Sequence, residues 1–315
     1  MGLASATLLA EFERHFRISC HESFDLFCGT STGAMIALAL AAGKSADDVV
    51  RFYMRMGPEV FPVRKALVRR ARRCTLGLFR PQYQNDALCR ALEEVFGDLT
   101  LGDIRARGKL ALVAAYNDSS GTPRLFKTDH APELTAHGEY RLRDVALASA
   151  AAPTYLPVAE LGRPGSDVVE RFCDGGVFAN SPALLGYAEA LSHLRIPPAN
   201  ISILSVATPR ANQGQRASAT TASKRLNRGI WAWKRITDVM IDASTTIAGS
   251  ALDRIVRALG DGQQYVRLTI DRPGGLDLDV ATPEATETLS QLGRECAESN
   301  GTRGQVARFW QSKPR

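Results

Sequence analysis

The stretch Phe24-Asp25-Leu26-Phe27-Cys28-Gly29-Thr30-Ser31-Thr32-Gly33-Ala34-Met35-Ile36-Ala37-Leu38-Ala39-Leu40-Ala41-Ala42-Gly43 narrows the choice of fold more than any other part of the chain. A short apolar run reads as a buried strand and breaks at Gly29; an apolar helix resumes at Ala34 and ends at Gly43. Between them, Gly29-Thr30-Ser31-Thr32-Gly33 is a G-x-S-x-G turn from strand to helix. In a nucleophile elbow such a turn is strained and lifts the serine hydroxyl above the sheet edge. Gly29 and Gly33 are expected to remove the Cβ atoms that would clash where strand and helix crowd together. The following helix aims its N-terminal dipole at Ser31, where negative charge develops in acyl transfer. A Gly-Ser-Thr loop before a core helix is the plainer alternative. The strand before and the helix after favour the elbow.

A phosphate loop does not fit. Gly43-Lys44-Ser45 supplies a G-K-S, but the earlier glycine that such a loop needs is Leu38, and no strand precedes it. Gly43 reads instead as a helix C-cap. Ser45 reads as the N-cap of the next helix, with Asp48 as its capping-box partner.

The chain of 315 residues is long enough for one large α/β domain, and no repeat or linker divides it, so residues 1–315 are expected to form a single domain. Hydrophobic content of 45% and charged content of 23% are those of an ordinary globule, and a net charge of +6 does not demand a nucleic acid polymer as partner. The six cysteines form no C-x-x-C pair, which argues against a metal site or a disulfide framework and for a reducing compartment. No signal peptide is legible, and the longest uncharged apolar run, Ala34 to Ala42, is too short to span a bilayer. A cytoplasmic protein able to visit a membrane surface is expected.

In chain order, Leu8, Leu9, Phe12 and Phe16 predict an amphipathic opening helix, and Val49 to Met56 a helix stopped by Gly57-Pro58. Val63 to Tyr83 contains no acid and carries Arg69, Arg70, Arg72 and Arg73, read either as a solvated face or as a site for anionic lipid headgroups or nucleotide phosphate. Leu88 to Phe96 is helical; Leu110 to Tyr116 and Arg124 to Thr128 are strands joined by a turn. Val145 to Ala152 is a helix ended by Pro153, and Val168 to Cys173 a strand running into Asp174-Gly175-Gly176. Ala183 to Leu194 is a helix, Ile201 to Ala207 and Tyr265 to Ile270 are strands, and Arg210 to Ser223 is a polar loop. The alternation predicts an α/β fold with a mostly parallel central sheet and helices on both faces, three layers in all.

A nucleophilic serine needs a base. His15 and His21 precede the elbow, His130 and His137 fall in a polar loop, and His193 sits in a helix; exposed or capping roles explain all five. Asp174 differs. It follows a buried strand directly, and Gly175-Gly176 lets the backbone turn tightly beside another group, although a plain Asp-Gly-Gly turn remains the alternative.

The elbow, the Asp-Gly-Gly after a strand and the order of elements resemble the patatin-like phospholipases, from Gly2 to about Ile270. The likeness includes Arg143-Asp144-Val145-Ala146-Leu147-Ala148-Ser149-Ala150-Ala151-Ala152-Pro153 and Asp174-Gly175-Gly176-Val177-Phe178-Ala179-Asn180-Ser181-Pro182. The resemblance implies a Ser-Asp dyad without histidine: Ser31 as nucleophile, Asp174 as base, and the Thr32 amide as an oxyanion donor, with no cofactor. Phe52-Tyr53, Gly57-Pro58-Glu59-Val60-Phe61-Pro62 and Phe79-Arg80-Pro81-Gln82-Tyr83 are similar to the bacterial phospholipases that cyclic dinucleotides activate in anti-phage (CBASS) defence. That narrower likeness implies a phospholipid membrane surface as substrate and a cyclic dinucleotide as activator; self-association stays open. Two departures stand out. Ala207-Thr208-Pro209 replaces a frequent glycine after the strand at Ile201. The family's first strand and Gly-rich oxyanion loop would end at Gly2, so the chain as written is expected to be barely active and improved by upstream residues. Against the leading reading, a lipid acyl hydrolase, stand a non-catalytic lipid- or nucleotide-binding module and, more remotely, a Ser-His-Asp esterase.

Overall fold

The computed structural model describes residues 1–62, 81–131, 134, 137–211, 236–260, 265–272 and 281–310. Arg69, Arg70, Arg72 and Arg73 lie outside the described residues, as do Phe79, Arg80 and most of the polar loop expected from Arg210 to Ser223. The helices are α1 (Gly2–Phe16), α2 (Cys20–Ser23), α3 (Thr32–Ala41), α4 (Ala46–Val60), α5 (Asp86–Phe96), α6 (Leu101–Ala106), α7 (Leu142–Ala150), α8 (Gly176–Ala179), α9 (Ala183–Ser192), α10 (Ile236–Ala258), α11 (Pro283–Glu298) and α12 (Asn300–Val306). The strands are β1 (Leu26–Thr30), β2 (Leu110–Asn117), β3 (Thr122–Lys127), β4 (Ala159–Gly162), β5 (Val169–Asp174), β6 (Ile203–Val206), β7 (Arg210–Ala211), β8 (Tyr265–Leu268) and β9 (Asp271–Arg272).

The α/β class and the layering hold, but the sheet is mixed rather than mostly parallel. In the five-stranded sheet β1 pairs parallel to β2, whereas β2–β3, β2–β5 and β4–β5 are antiparallel. Short connections account for two of these pairs: the turn from Asn117 to Thr122 and the loop from Gly162 to Val169 return the chain antiparallel, whereas a long crossover permits β1 to run with β2. Two further pairs, β6–β8 and β7–β9, are parallel.

Alternation along β1 sets the layers. A Cβ on Gly29 would strike the backbone of Gly33 and Ala34, so that residue faces α3. Thr30 donates to the Ala179 carbonyl, and Cys28 lies against Gly186, so these face α8 and α9 on the other side. One cluster of buried side chains runs from Leu3 to Trp310.

Two helices depart from expectation. The first half of α1 is buried on all sides, not amphipathic, because α11 covers the face that would otherwise meet solvent. Gly293 permits that contact: a Cβ there would stand 2.5 Å from the Ala4 carbonyl oxygen. Helix α4 continues through Gly57-Pro58 to Val60. Phe52, Met56 and Val60 recur at helical spacing on its buried face, while Met54, whose carbonyl Pro58 cannot bond, is 47% exposed and within reach of water. No helix among the described residues is long and apolar enough to cross a membrane.

Candidate active site

Strand β2 brings the two singled-out residues together. One of its edges carries β3 along residues 112–117, so β1, paired to residues 110–114, and β5, paired to residues 115–117, share the other edge. Because β1 runs with β2 and β5 against it, the two strands meet C-terminus to C-terminus: Thr30 lies opposite Ala114 and Asp174 opposite Ala115. Ser31, the residue after β1, thereby faces Asp174, the last residue of β5.

The Ser31 hydroxyl donates to Asp174 Oδ2 at 2.5 Å across 143 residues of sequence. Ser31 has φ 57° and ψ −127°, a conformation that costs a non-glycine residue of order 1–3 kcal/mol. This is the strained turn expected of an elbow. Its N–H is bonded to Ser149 Oγ at 2.9 Å. Thr32 and Gly33 occupy the first two positions of α3, where backbone N–H groups have no acceptor within the helix. The N-terminus of α1 converges on the same place, since a Cβ on Gly2 would come within 3.1 Å of Thr32 Cβ. Tyr53 donates to the Thr32 carbonyl at 2.6 Å and fixes this turn from α4. Two helix dipoles thus present their positive ends beside Ser31.

The glycines divide. Gly29 has no room for a side chain, its Cβ falling 2.4 Å from the Gly33 carbonyl oxygen, and Gly175 none either, at 2.2 Å from that of Ala114. Gly176 offers its N–H to Asp174 Oδ1 at 2.7 Å, and a Cβ there would meet the same oxygen at 3.0 Å. Gly33 breaks the expectation: a Cβ on it would meet nothing within 4 Å, because it points off the first turn of α3 and away from β1.

Asp174 is 6% exposed. Burial pushes its carboxyl from 3.8 up to about 6, against the hydrogen bonds from Ser31 and Gly176 that favour the ionised form. Near neutral pH it is a carboxylate of raised basicity, already in contact with a hydroxyl proton.

All five histidines make their contacts elsewhere. His15 meets the Phe16 ring edge-on, His21 Nδ1 lies 3.1 Å from the Leu40 carbonyl, and His137 Nδ1 accepts from the Lys127 N–H. His130 corrects the expectation of an exposed or capping role. Its side chain is 1% exposed and pairs with Glu189 at 2.7 Å, because the segment after β3 folds over α9. Glu189 also binds Lys127 at 2.7 Å and lies 3.4 Å from His193. Ser149 was not legible as a functional residue, although it lies inside the Arg143–Pro153 segment.

The family model for patatin-like phospholipase matches residues 2–187. A cGAMP-activated phospholipase of Pseudomonas aeruginosa is 33% identical over 304 residues, covering 94% of this chain and 84% of that protein. Proteins of the same description from Escherichia coli and Vibrio cholerae are 29% and 30% identical, over 94% and 97% of this chain and 85% and 89% of their own. The solved structure of VipD from Legionella pneumophila aligns at a TM-score of 0.45 and 12% identity, covering 98% of this chain and 64% of that one. A family match over more than half the chain and a relative one-third identical along nearly all of it lead to one conclusion: this chain belongs to the patatin-like phospholipase family and is a hydrolase of that family.

Proposed function

We propose that the chain cleaves acyl esters of membrane phospholipids with Ser31 as nucleophile and Asp174 as the only base. The observation that carries this reading is the hydrogen bond from Ser31 Oγ to Asp174 Oδ2. Ser31 Oγ attacks the ester carbonyl while Asp174 takes its proton. The carbonyl oxygen becomes an oxyanion beside the Thr32 N–H and the converging helix N-termini. Collapse breaks the ester C–O bond, and the departing alcohol oxygen, that of a lysophospholipid, takes the proton back from Asp174. Water, deprotonated by the same carboxylate, then releases the fatty acid and restores Ser31. An intact, strained elbow held against a basic carboxylate supports catalysis over a binding module.

The three bacterial relatives are described as cGAMP-activated. We therefore extend the reading to activation by a cyclic dinucleotide, action from the cytoplasm on the inner membrane surface, and a role in anti-phage defence. The test incubates the protein with phosphatidylglycerol–phosphatidylethanolamine vesicles, with and without cGAMP, and measures released fatty acid. Release that rises with cGAMP and disappears in Ser31→Ala is expected. Release that survives Ser31→Ala overturns the dyad, and release indifferent to cGAMP overturns the activation.

A further inference from the structure

Ser31 follows β1 and Asp174 ends β5, two strands that are not paired with each other and meet only along β2. Something must hold these ends in register, and the end of α7 is wedged where they meet. Ser149, in the last turn of α7, is fully buried. Its hydroxyl donates to the Ala114 carbonyl at 2.7 Å and accepts the Ser31 N–H at 2.9 Å. Two residues on, the Ala151 carbonyl accepts the Asp174 N–H at 2.9 Å. A single helix terminus therefore grips the backbone of both residues, and Ser149 supplies a side-chain oxygen to that grip.

Ser31 makes this contact matter. Its φ of 57° lies where a non-glycine residue stays only if its surroundings hold it, and that torsion aims Oγ at Asp174. The N–H that defines the torsion is the one bonded to Ser149. We infer that Ser149 is a positioning residue for the reaction: it touches no substrate, and it fixes the backbone of Ser31 so that the hydroxyl stays on the Asp174 carboxylate. The inference rests on the dyad reading above. A merely structural serine would satisfy two buried backbone groups and leave the dyad alone.

The experiment compares wild type, Ser149→Ala, Ser149→Thr, Ser149→Cys and Ser31→Ala on a soluble p-nitrophenyl fatty-acyl ester in the presence of cGAMP, with melting curves for each. Misplacing a reacting group by a fraction of an ångström to 1 Å is expected to lower kcat of Ser149→Ala roughly 10- to 100-fold, with KM changed less than about two-fold. The acid limb of its pH profile should also move to higher pH, because the Ser31 hydroxyl no longer steadies the ionised Asp174. Ser149→Thr, which keeps the hydroxyl, should recover most of kcat; should Ser149→Ala fail to fold, Ser149→Cys makes the same comparison with a weakly bonding group of similar shape. A folded Ser149→Ala or Ser149→Cys with wild-type kcat and an unmoved acid limb overturns the positioning role while a dead Ser31→Ala leaves the dyad standing. Activity that survives Ser31→Ala overturns both.

Discussion

Asp174, at the end of β5, and Glu189, in α9, are both nearly closed to solvent, 6% and 4% exposed, and their surroundings drive them apart. Asp174 is bonded by one neutral hydroxyl and one backbone N–H, so burial prevails and its carboxyl rises to about 6. At Glu189 burial also pushes upward, but hydrogen bonds from Lys127 and His130 together outweigh it, and the carboxyl falls below its ordinary value. Burial alone therefore does not make a base. A buried carboxylate can take a proton near neutral pH where its partners are neutral, and is committed to a structural ion pair where they are charged.

The largest effect that tests this contrast is on turnover. Asp174→Asn should lower kcat by roughly 100- to 10,000-fold, since an amide cannot accept the serine proton, while the protein stays folded. Glu189→Gln should do the reverse. It strands the Lys127 ammonium, 11% exposed, without its anion, and unfolding by urea should register a loss of about 3–5 kcal/mol, with kcat of the folded fraction within a few-fold of wild type. A Glu189→Gln protein as dead as Asp174→Asn would erase the distinction between the two carboxylates.

Proton linkage sharpens the comparison. The rate should rise with pH through about 6 and then level off, as Asp174 ionises. Because its folded-state pKa is raised, Asp174 binds its proton more firmly folded than unfolded, and its contribution to stability is lost as pH climbs from 3.8 to about 6, a cost of roughly 3 kcal/mol. Asp174→Asn should therefore melt above wild type at pH 8, and the difference should close below about pH 4. Glu189, whose pKa is depressed, runs the other way: its stabilisation is present above the ordinary carboxylate range and lost as pH falls through its folded-state value. Thermal melts across pH 3 to 8 read both signs, and an Asp174→Asn protein that melts lower than wild type at pH 8 would count against the raised pKa.

The smallest test separates the two elbow glycines. Gly29→Ala forces a methyl into the Gly33 carbonyl and should cost about 1–3 kcal/mol or more, whereas Gly33→Ala meets open space in a helix and should be neutral or slightly stabilising in a melt.

The strained turn at Ser31 and the tight turn after Asp174 were legible because both depend on local signals: a strand, a glycine where the backbone crowds, and a polar side chain in between. The β2–β3 hairpin and the Ser45–Asp48 capping box were legible for the same reason. What stayed hidden depends on partners far along the chain. Ser149 looks like any small residue in an alanine-rich helix until its contacts 118 and 35 residues away are known. Helix α1 reads as amphipathic until Gly293 brings α11 against it, and His130 reads as a loop residue until Glu189 is placed beneath it. Strand direction escaped because hydrophobic pattern reports burial and says nothing of which way a strand runs; loop length decides that.

The end-to-end junction of β1 and β5 on one edge of β2 also has a consequence for synthesis. The serine leaves the ribosome 143 residues ahead of the aspartate, and β2, which aligns them, is made in between. On the dyad reading, a nascent chain that already carries its elbow has nothing to draw the proton from Ser31 until residue 174 has emerged and docked. On the same reading the chain stays inert until β5 has been made, and a fragment truncated before β5 has no base for Ser31.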